Sequence, residues 1–317
     1  MSLFTNPEDG RPRAGWRLII QFILMLILLS GWQLFAQGIL DNWQGHGNLS
    51  IIISGVFVVM SIWIAAYLMD LRKLSEYGLR INSQWWSELA AGIILGLLGM
   101  GIIFIVYRAA GWVEFTGWGW DRTHTYPFFV VFGGYFLAMA AVGFYEELLA
   151  RGYQTKNLAE GLRFRFSNRE AAMIAVAITS LIFGALHIGN PHTTWLSTLN
   201  ITIAGIMLGV PYILTNSLAL PIGLHFSWNF FQGGIFGFAV SGRAVQESII
   251  QTSVDGPELV TGGRFGPEGG LAGTVVILGL IIVILVYYNK KQKGISVDKT
   301  FTDPPEILQT PGNETQK

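Results

Sequence analysis

Residues 127–149 read PFFVVFGGYFLAMAAVGFYEELL, an apolar run that carries two adjacent glutamates near its end. A helix needs roughly 20 mainly apolar residues to cross a bilayer. The run reaches that length before its first charged residue, so it predicts a transmembrane helix. A carboxylate within such a helix is costly in hydrocarbon and therefore marks a candidate functional site.

The rest of the chain repeats this pattern. Across all 317 residues, 51% are hydrophobic and only 13% are charged, whereas a soluble domain carries about 25% charged residues. We therefore predict an all-α fold, a polytopic membrane helix bundle with about eight transmembrane helices. The seven further spans are predicted at 16–36, 48–69, 87–107, 171–187, 193–214, 217–239 and 270–288.

The basic residues predict the orientation of this bundle. With eight spans, 16 of the 20 lysines and arginines fall on the side that holds both termini. The opposite side holds only Arg108, Arg122, Arg243 and Arg264. Because cytoplasmic loops are enriched in Lys and Arg, we predict an integral membrane protein, typical of a bacterial plasma membrane, with both termini cytoplasmic. The net charge of zero gives no indication of a nucleic-acid partner.

The chain shows no soluble domain and no internal repeat. We divide it into a cytoplasmic N-terminal segment (1–15), a transmembrane bundle (16–289) and a polar cytoplasmic tail (290–317) that we predict to be disordered. Segment 151–170 alternates basic and apolar residues, which predicts a short helix lying on lipid headgroups. Segment 240–269 is glycine-rich and long enough to be mobile or to fold back over the bundle as a lid.

The first polar cluster lies at the end of the fourth span. Glu147 and Arg151 are four residues apart, so they share a helix face and are expected to pair. Glu146 points about 100° away from that face, toward the bundle interior, where it is a candidate general base. The structural alternative is a solvated helix end at the membrane interface.

Two further clusters lie on separate spans. His187 closes the fifth span, where a lone histidine is commonly an interfacial residue. His225 and Asn229 share a face of the seventh span, and their structural alternative is an interhelical hydrogen-bond pair. Taken together with Glu146, these side chains supply the carboxylate, imidazole and amide groups that hydrolysis needs. Glu146 and His187 would activate a water, and His225 with Asn229 would stabilise an oxyanion.

The order of these motifs is specific. Glu-Glu-x-x-x-Arg, Phe-x-x-x-His and His-x-x-x-Asn follow one another on separate predicted helices within residues 143–232. This combination resembles the CPBP family of intramembrane proteases, which includes the type II CAAX prenyl endopeptidases and bacterial bacteriocin-processing and self-immunity proteins. The resemblance places a protease core at about 127–240.

The resemblance implies a glutamate-dependent endopeptidase that needs no cofactor. Its substrates would be peptides or proteins associated with the lipid bilayer. The implied catalytic residues are Glu146 as the base, His187 as its partner on the water, and His225 with Asn229 as oxyanion stabilisers, with Glu147 and Arg151 in supporting roles.

A zinc site is the minority alternative. Two histidines and a carboxylate are plausible zinc ligands, and the set would be Glu146, His187 and His225. The sequence contains no cysteine and no His-Glu-x-x-His helix. The oxyanion interpretation also makes better use of His225 and Asn229, so we predict a site without metal.

Two other functions stay open on the sequence. A non-catalytic immunity or scaffold protein would bind a partner peptide through the same polar cavity. A small transporter would use Glu146, His187 and His225 as a proton relay. However, no motif repeats between the two halves of the chain, as it does in many transporters, and an asparagine at position 229 cannot relay a proton.

The predicted span limits conflict with the motif interpretation. By those limits, Glu146 lies near the cytoplasmic end of its helix and His187 near the outer end of the next. Straight helices would separate them by about 24 Å in depth. A shared site therefore requires different limits, for example a fourth helix that continues further toward the cytoplasm.

Overall fold

A computed structural model describes residues 3–7, 9–39, 47–124 and 126–309 of the chain. The fold is mostly helical, with 71% of residues in helices, as predicted. The long helices are α1 (Ala14–Ile39), α2 (Gly47–Ala65), α3 (Ser83–Ala109), α4 (Phe128–Glu147), α6 (Asn168–Leu186), α7 (Trp195–Thr215), α8 (Ala219–Asn229) and α10 (Leu271–Gln292). The short ones are α5 (Lys156–Leu162), α9 (Glu258–Thr261) and α11 (Glu306–Gln309).

Seven helices of the described chain are long and apolar enough to cross a membrane. They correspond to the first six predicted spans and the last. The predicted span 217–239 instead forms α8 and a π-helical segment, Phe230–Ile235, and nearly every residue of α8 is buried among other helices. The polytopic helical bundle is therefore confirmed, whereas the count of eight membrane-crossing helices is not.

Glycines explain how α8 comes to be enclosed. On α3, Gly92 and Gly96 face the backbone of α8, and a Cβ atom at Gly96 would lie 2.8 Å from the amide nitrogen of Trp228. On α4, a Cβ atom at Gly143 would lie 2.8 Å from the amide nitrogen of Phe226. Small residues allow membrane helices to approach this closely. The contacts hold α8 between α3 and α4.

Helix α4 does not end where the sequence predicted. It continues through a π-helical segment, Leu148–Thr155, and through α5, so that one helix runs from Phe128 to Leu162. A π-helix has wider turns than an α-helix. In this segment, Thr155 Oγ1 donates a hydrogen bond to the carbonyl oxygen of Ala150, five residues earlier, at 2.8 Å. Most residues of 151–162 are buried. The predicted headgroup-bound helix at 151–170 is therefore wrong for this stretch.

This continuation removes the conflict in depth. Glu146 lies about 24 Å along the helix from Leu162, and His187 lies about 28 Å along α6 from Asn168, at about 1.5 Å per residue. The two helices are joined by a short connection between Leu162 and Asn168. Glu146 and His187 therefore reach a similar depth in the bundle.

The far end of the bundle carries a small sheet in addition to helices. Strand β1 (Val113–Trp118) pairs antiparallel with β2 (Ile250–Val254), and Val113 lies opposite Val254. The sheet ties the segment after α3 to the glycine-rich segment 240–269. That segment also forms α9, which packs against α10, and two short 3₁₀ turns, one of which packs against α7 and α10, so it does fold back over the bundle.

Both described termini meet at the other end of the bundle, around the carboxylate of Glu160. This carboxylate pairs with Arg17 at 3.3 Å, with Arg72 at 3.2 Å and with Arg11. Arg17 also pairs with Asp70 at 2.9 Å. These ion pairs fasten the N-terminal segment to the ends of α2 and α5.

The C-terminal tail also packs at this end. Phe301 is fully buried and contacts the ring of Tyr212, with 5.1 Å between ring centroids. Arg72 donates a hydrogen bond to the carbonyl oxygen of Asp303 at 2.5 Å. The tail as far as Gln309 thus differs from the predicted disorder of 290–317, because an aromatic anchor and a backbone contact hold it. Residues 310–317 lie outside the described residues.

Candidate active site

A cavity of about 570 Å³ lies inside the bundle. Its walls on the side of α1 and α2 are apolar and include Met25, Leu29 and Val58. Polar side chains from α4, α6 and α8 form another part of the wall. All four residues predicted as catalytic line this one cavity: Glu146, His187, His225 and Asn229.

Glu147 occupies the centre of a buried network beside the cavity. Its Oε1 atom accepts a hydrogen bond from Arg151 at 2.9 Å and lies 2.8 Å from Nδ1 of His225. Arg151 also donates to the carbonyl oxygen of Gly205 at 3.2 Å and places its guanidinium 4.3 Å above the ring of Phe183. Glu147 is fully buried. The predicted pair of Glu147 and Arg151 is present, and it joins α4 to α6, α7 and α8.

This network orients His225. An ionised carboxylate only accepts hydrogen bonds, so the Nδ1 atom of His225 carries the proton that Glu147 accepts. The Nε2 atom is then directed toward the cavity wall, 4.0 Å from Oε2 of Glu146. A neutral His225 offers Nε2 as an acceptor, and a protonated His225 offers it as a donor.

His187 is oriented by its own helix. Its Nδ1 atom lies 2.7 Å from the carbonyl oxygen of Phe183, four residues earlier. A carbonyl oxygen only accepts, so Nδ1 is the protonated nitrogen and Nε2 is left for a ligand in the cavity. His187 caps the C-terminal end of α6 and is half-buried. In the described structure it faces the same cavity as Glu146 without a direct hydrogen bond to it.

Two of the predicted catalytic side chains have no hydrogen-bond partner among the described residues. The side-chain amide of Asn229 is one, although the residue is only 7% exposed. The carboxylate of Glu146 is the other, with a side chain that is 25% exposed. A polar group that is largely buried is normally hydrogen-bonded, so both groups are available to water or to a substrate.

The zinc alternative requires three side chains that converge on one ion. Among the described residues, no three His, Asp or Glu side chains come close enough together to hold one metal ion. Glu146, His187 and His225 share the cavity wall, and each histidine holds its Nδ1 atom on a protein acceptor and leaves Nε2 free. As placed, these three side chains do not converge as one set of zinc ligands.

Several polar residues of the cavity were missed by sequence reasoning. They come from positions far apart in the chain, and no spacing between them signals a shared site. In the sequence, Arg243 stands out only as one of the four basic residues on the outer side, and Glu268 carries no signal. The missed residues are Gln154, Asn190, Asn200, Ser241, Arg243 and Glu268.

Comparison with known proteins agrees with the motif pattern. Residues 127–231 match the family model described as type II CAAX prenyl endopeptidase Rce1-like. No curated protein and no solved structure matches the chain. Together with the seven apolar helices, the family match supports an integral membrane protein that is a CAAX protease-like enzyme. The stretch from α4 to α8, which carries all the predicted site residues, is therefore an Rce1-like domain of the family that its three motifs resemble.

Proposed function

We propose that this protein is an intramembrane endopeptidase that hydrolyses peptide bonds of membrane-associated substrates with a glutamate-activated water. One observation carries the proposal. Glu146 and Asn229 face a single cavity without hydrogen-bond partners among the described residues, and the same cavity presents one nitrogen of His187 and one of His225.

Glu146 is the base in this mechanism. Its carboxylate accepts a proton from a water molecule while the water oxygen attacks the scissile carbonyl carbon. His187 presents Nε2 to the same water and orients it, because its Nδ1 proton is fixed on the carbonyl of Phe183. A positioned general base contributes about 10²- to 10⁴-fold to the rate.

His225 and Asn229 stabilise the oxyanion that forms on the carbonyl oxygen. Asn229 donates through its side-chain amide. His225 donates through Nε2 in its imidazolium form, and the carboxylate of Glu147, 2.8 Å from Nδ1, balances that positive charge. When the tetrahedral intermediate collapses, the C–N bond breaks and the proton held by Glu146 passes to the leaving amine. A single donor of this type is worth about 10²- to 10³-fold in kcat.

Glu147 and Arg151 are positioning residues. They do not line the cavity, and their contacts fix the ring of His225 and the packing of α6 against α4. The apolar wall from α1 and α2 suits a substrate that reaches the site from the bilayer.

The test compares wild type with Glu146→Gln on a library of fluorogenic peptides in detergent. Glutamine keeps the size of the side chain and removes the base, so we expect at least a 10²-fold loss in kcat/KM with an unchanged melting temperature. Glu114→Gln is the matched control, because Glu114 is an exposed carboxylate on β1 at a distance from the cavity lining.

Equal cleavage by wild type and Glu146→Gln would refute the assignment of Glu146 as the general base. A folded wild type that cleaves no peptide, and that binds peptides as tightly as Glu146→Gln does, would favour the immunity or scaffold function instead.

A further inference from the structure

Residues 240–243 form a tight turn at the wall of the active-site cavity. Val240 and Arg243 exchange two backbone hydrogen bonds, each of 2.9 Å. The two residues between them, Ser241 and Gly242, both have positive φ angles, 47° and 83°. This is the backbone pattern of a type I′ turn, which reverses the chain in two residues.

The turn is fastened from several directions. The carboxylate of Glu268 accepts hydrogen bonds from the backbone nitrogen of Ser241 at 2.8 Å and from its Oγ at 3.0 Å. The backbone nitrogen of Gly242 donates to the carbonyl oxygen of Phe265 at 2.9 Å. A Cβ atom at Gly242 would overlap the carbonyl oxygen of Pro191. The backbone of the turn is therefore fixed relative to the end of α6 and to the start of α10.

Arg243 projects from this fixed turn with its charge uncompensated. It is the only lysine or arginine among the described residues that line the cavity. Its side chain is exposed and makes no ion pair or hydrogen bond within the described part of the chain. Glu268, the acid that fastens the turn, already accepts two hydrogen bonds from Ser241.

The other charged residues of the cavity indicate what kind of substrate group Arg243 can bind. Glu146 and Glu268 both line the cavity, and each would repel a negatively charged substrate group. A guanidinium beside them supplies the opposite charge and the paired donors that match a carboxylate. Its fixed turn also limits the positions that a bound carboxylate can take.

We propose that Arg243 binds a carboxylate of the peptide substrate and so selects which peptides enter the site in the correct register. The proposal rests on the proposed endopeptidase function. Two sources present this chemistry, namely the side chain of an Asp or Glu residue and the C-terminal carboxylate of the peptide.

Three pools of fluorogenic peptides with matched apolar sequences separate these sources. The first pool has Gln and a C-terminal amide, the second has Glu and a C-terminal amide, and the third has Gln and a free C-terminal carboxylate. For wild type we expect kcat/KM to be about tenfold higher for the second or the third pool than for the first. The pool that shows the preference identifies the source.

The variant Arg243→Ala should lose this preference, so that kcat/KM becomes equal for the three pools. Arg243→Lys should keep part of the preference, and Arg243→Glu should reverse it, so that the first pool is cleaved faster than the pool that carries the preferred carboxylate. The matched control is Arg264→Ala, because Arg264 is an exposed arginine of the same segment that does not line the cavity. It should leave all three pools unchanged.

The outcomes distinguish this proposal from the proposed function. If wild type cleaves all pools equally, or Arg243→Ala slows all pools by the same factor, Arg243 does not read a carboxylate although the protein is a protease. If nothing is cleaved, binding of the same pools, measured by fluorescence anisotropy, still shows whether Arg243 recognises a carboxylate. A carboxylate preference that Arg243→Ala abolishes supports the assignment, and equal binding of the pools overturns it.

Discussion

The Nδ1 atom of His225 lies 2.8 Å from the Oε1 atom of Glu147, and the two residues are 78 positions apart in the chain, on two different helices. The same carboxylate oxygen holds Arg151 at 2.9 Å. Glu147 therefore links the charge of a buried arginine to the orientation of a histidine in the cavity. The relationship separates the two adjacent glutamates into different roles, since Glu146 faces the cavity and Glu147 faces the bundle.

Glu147→Gln should destabilise the protein in addition to lowering its activity. The change leaves Arg151 buried without its counter-ion, and breaking a buried pair in this way costs about 3 kcal/mol. Thermal unfolding in detergent measures the loss. The double variant Glu147→Gln/Arg151→Met should recover part of the melting temperature, because it removes both charges. A double variant no more stable than the single one would contradict the pairing argument.

Asn229→Ala should lower kcat by about 10²- to 10³-fold and leave KM and the melting temperature nearly unchanged. The amide has no hydrogen-bond partner among the described residues, so its removal leaves no protein group unsatisfied. Steady-state kinetics on a cleaved peptide measure the effect. Asn289→Ala, an exposed position on α10, serves as the control. A rise in KM without a fall in kcat would point to substrate binding rather than to oxyanion stabilisation.

Gly143→Ala should reduce both stability and activity. The added Cβ atom would lie 2.8 Å from the backbone nitrogen of Phe226 and push α8, with His225, away from Glu146. Gly133→Ala is a matched control on the same helix, where nothing lies within 4 Å of the new atom. The control should raise stability slightly, because alanine favours a helix by about 0.5–1 kcal/mol over glycine. Equal behaviour of the two variants would refute the close approach.

Phe301→Ala should destabilise the protein by about 3 kcal/mol, the usual cost of deleting a buried phenylalanine ring. Phe301 belongs to the tail and is fully buried against the ring of Tyr212, whereas Phe164 is 87% exposed. The melting temperature of Phe164→Ala should therefore match wild type. If Phe301→Ala also matches wild type, the tail does not contribute to the stability of the bundle.

Metal chelation should leave peptide cleavage unchanged. The reason is the arrangement of the ligand atoms, because no three acidic or histidine side chains of the described chain converge on one point. Activity is measured after dialysis against a chelator and again after zinc is added back. Loss of cleavage with recovery at one equivalent of zinc would restore the alternative set of Glu146, His187 and His225.

The sequence by itself determined the helical membrane bundle and nominated the residues of the candidate site. Apolar runs long enough to span a bilayer have few other stable structures, because backbone polar groups in lipid must be satisfied within the helix. Glu146, His187, His225 and Asn229 were identified because polar side chains in such runs are costly and rare. The pairing of Glu147 with Arg151 followed from the helical repeat alone.

Only the tertiary structure decided how deep the site residues lie in the bundle, which groups they contact, and which residues of segment 240–269 reach the cavity. No local signal shows that α4 continues to Leu162, because its polar residues beyond Glu147 are tolerated only through contacts with other helices. The same holds for the burial of α8 behind the glycines of α3 and for the packing of Phe301. The turn that carries Arg243 is held at the cavity by hydrogen bonds from Ser241 and Gly242 to residues more than 20 positions away. Such long-range contacts leave no periodicity in the sequence, so only the folded chain reveals them.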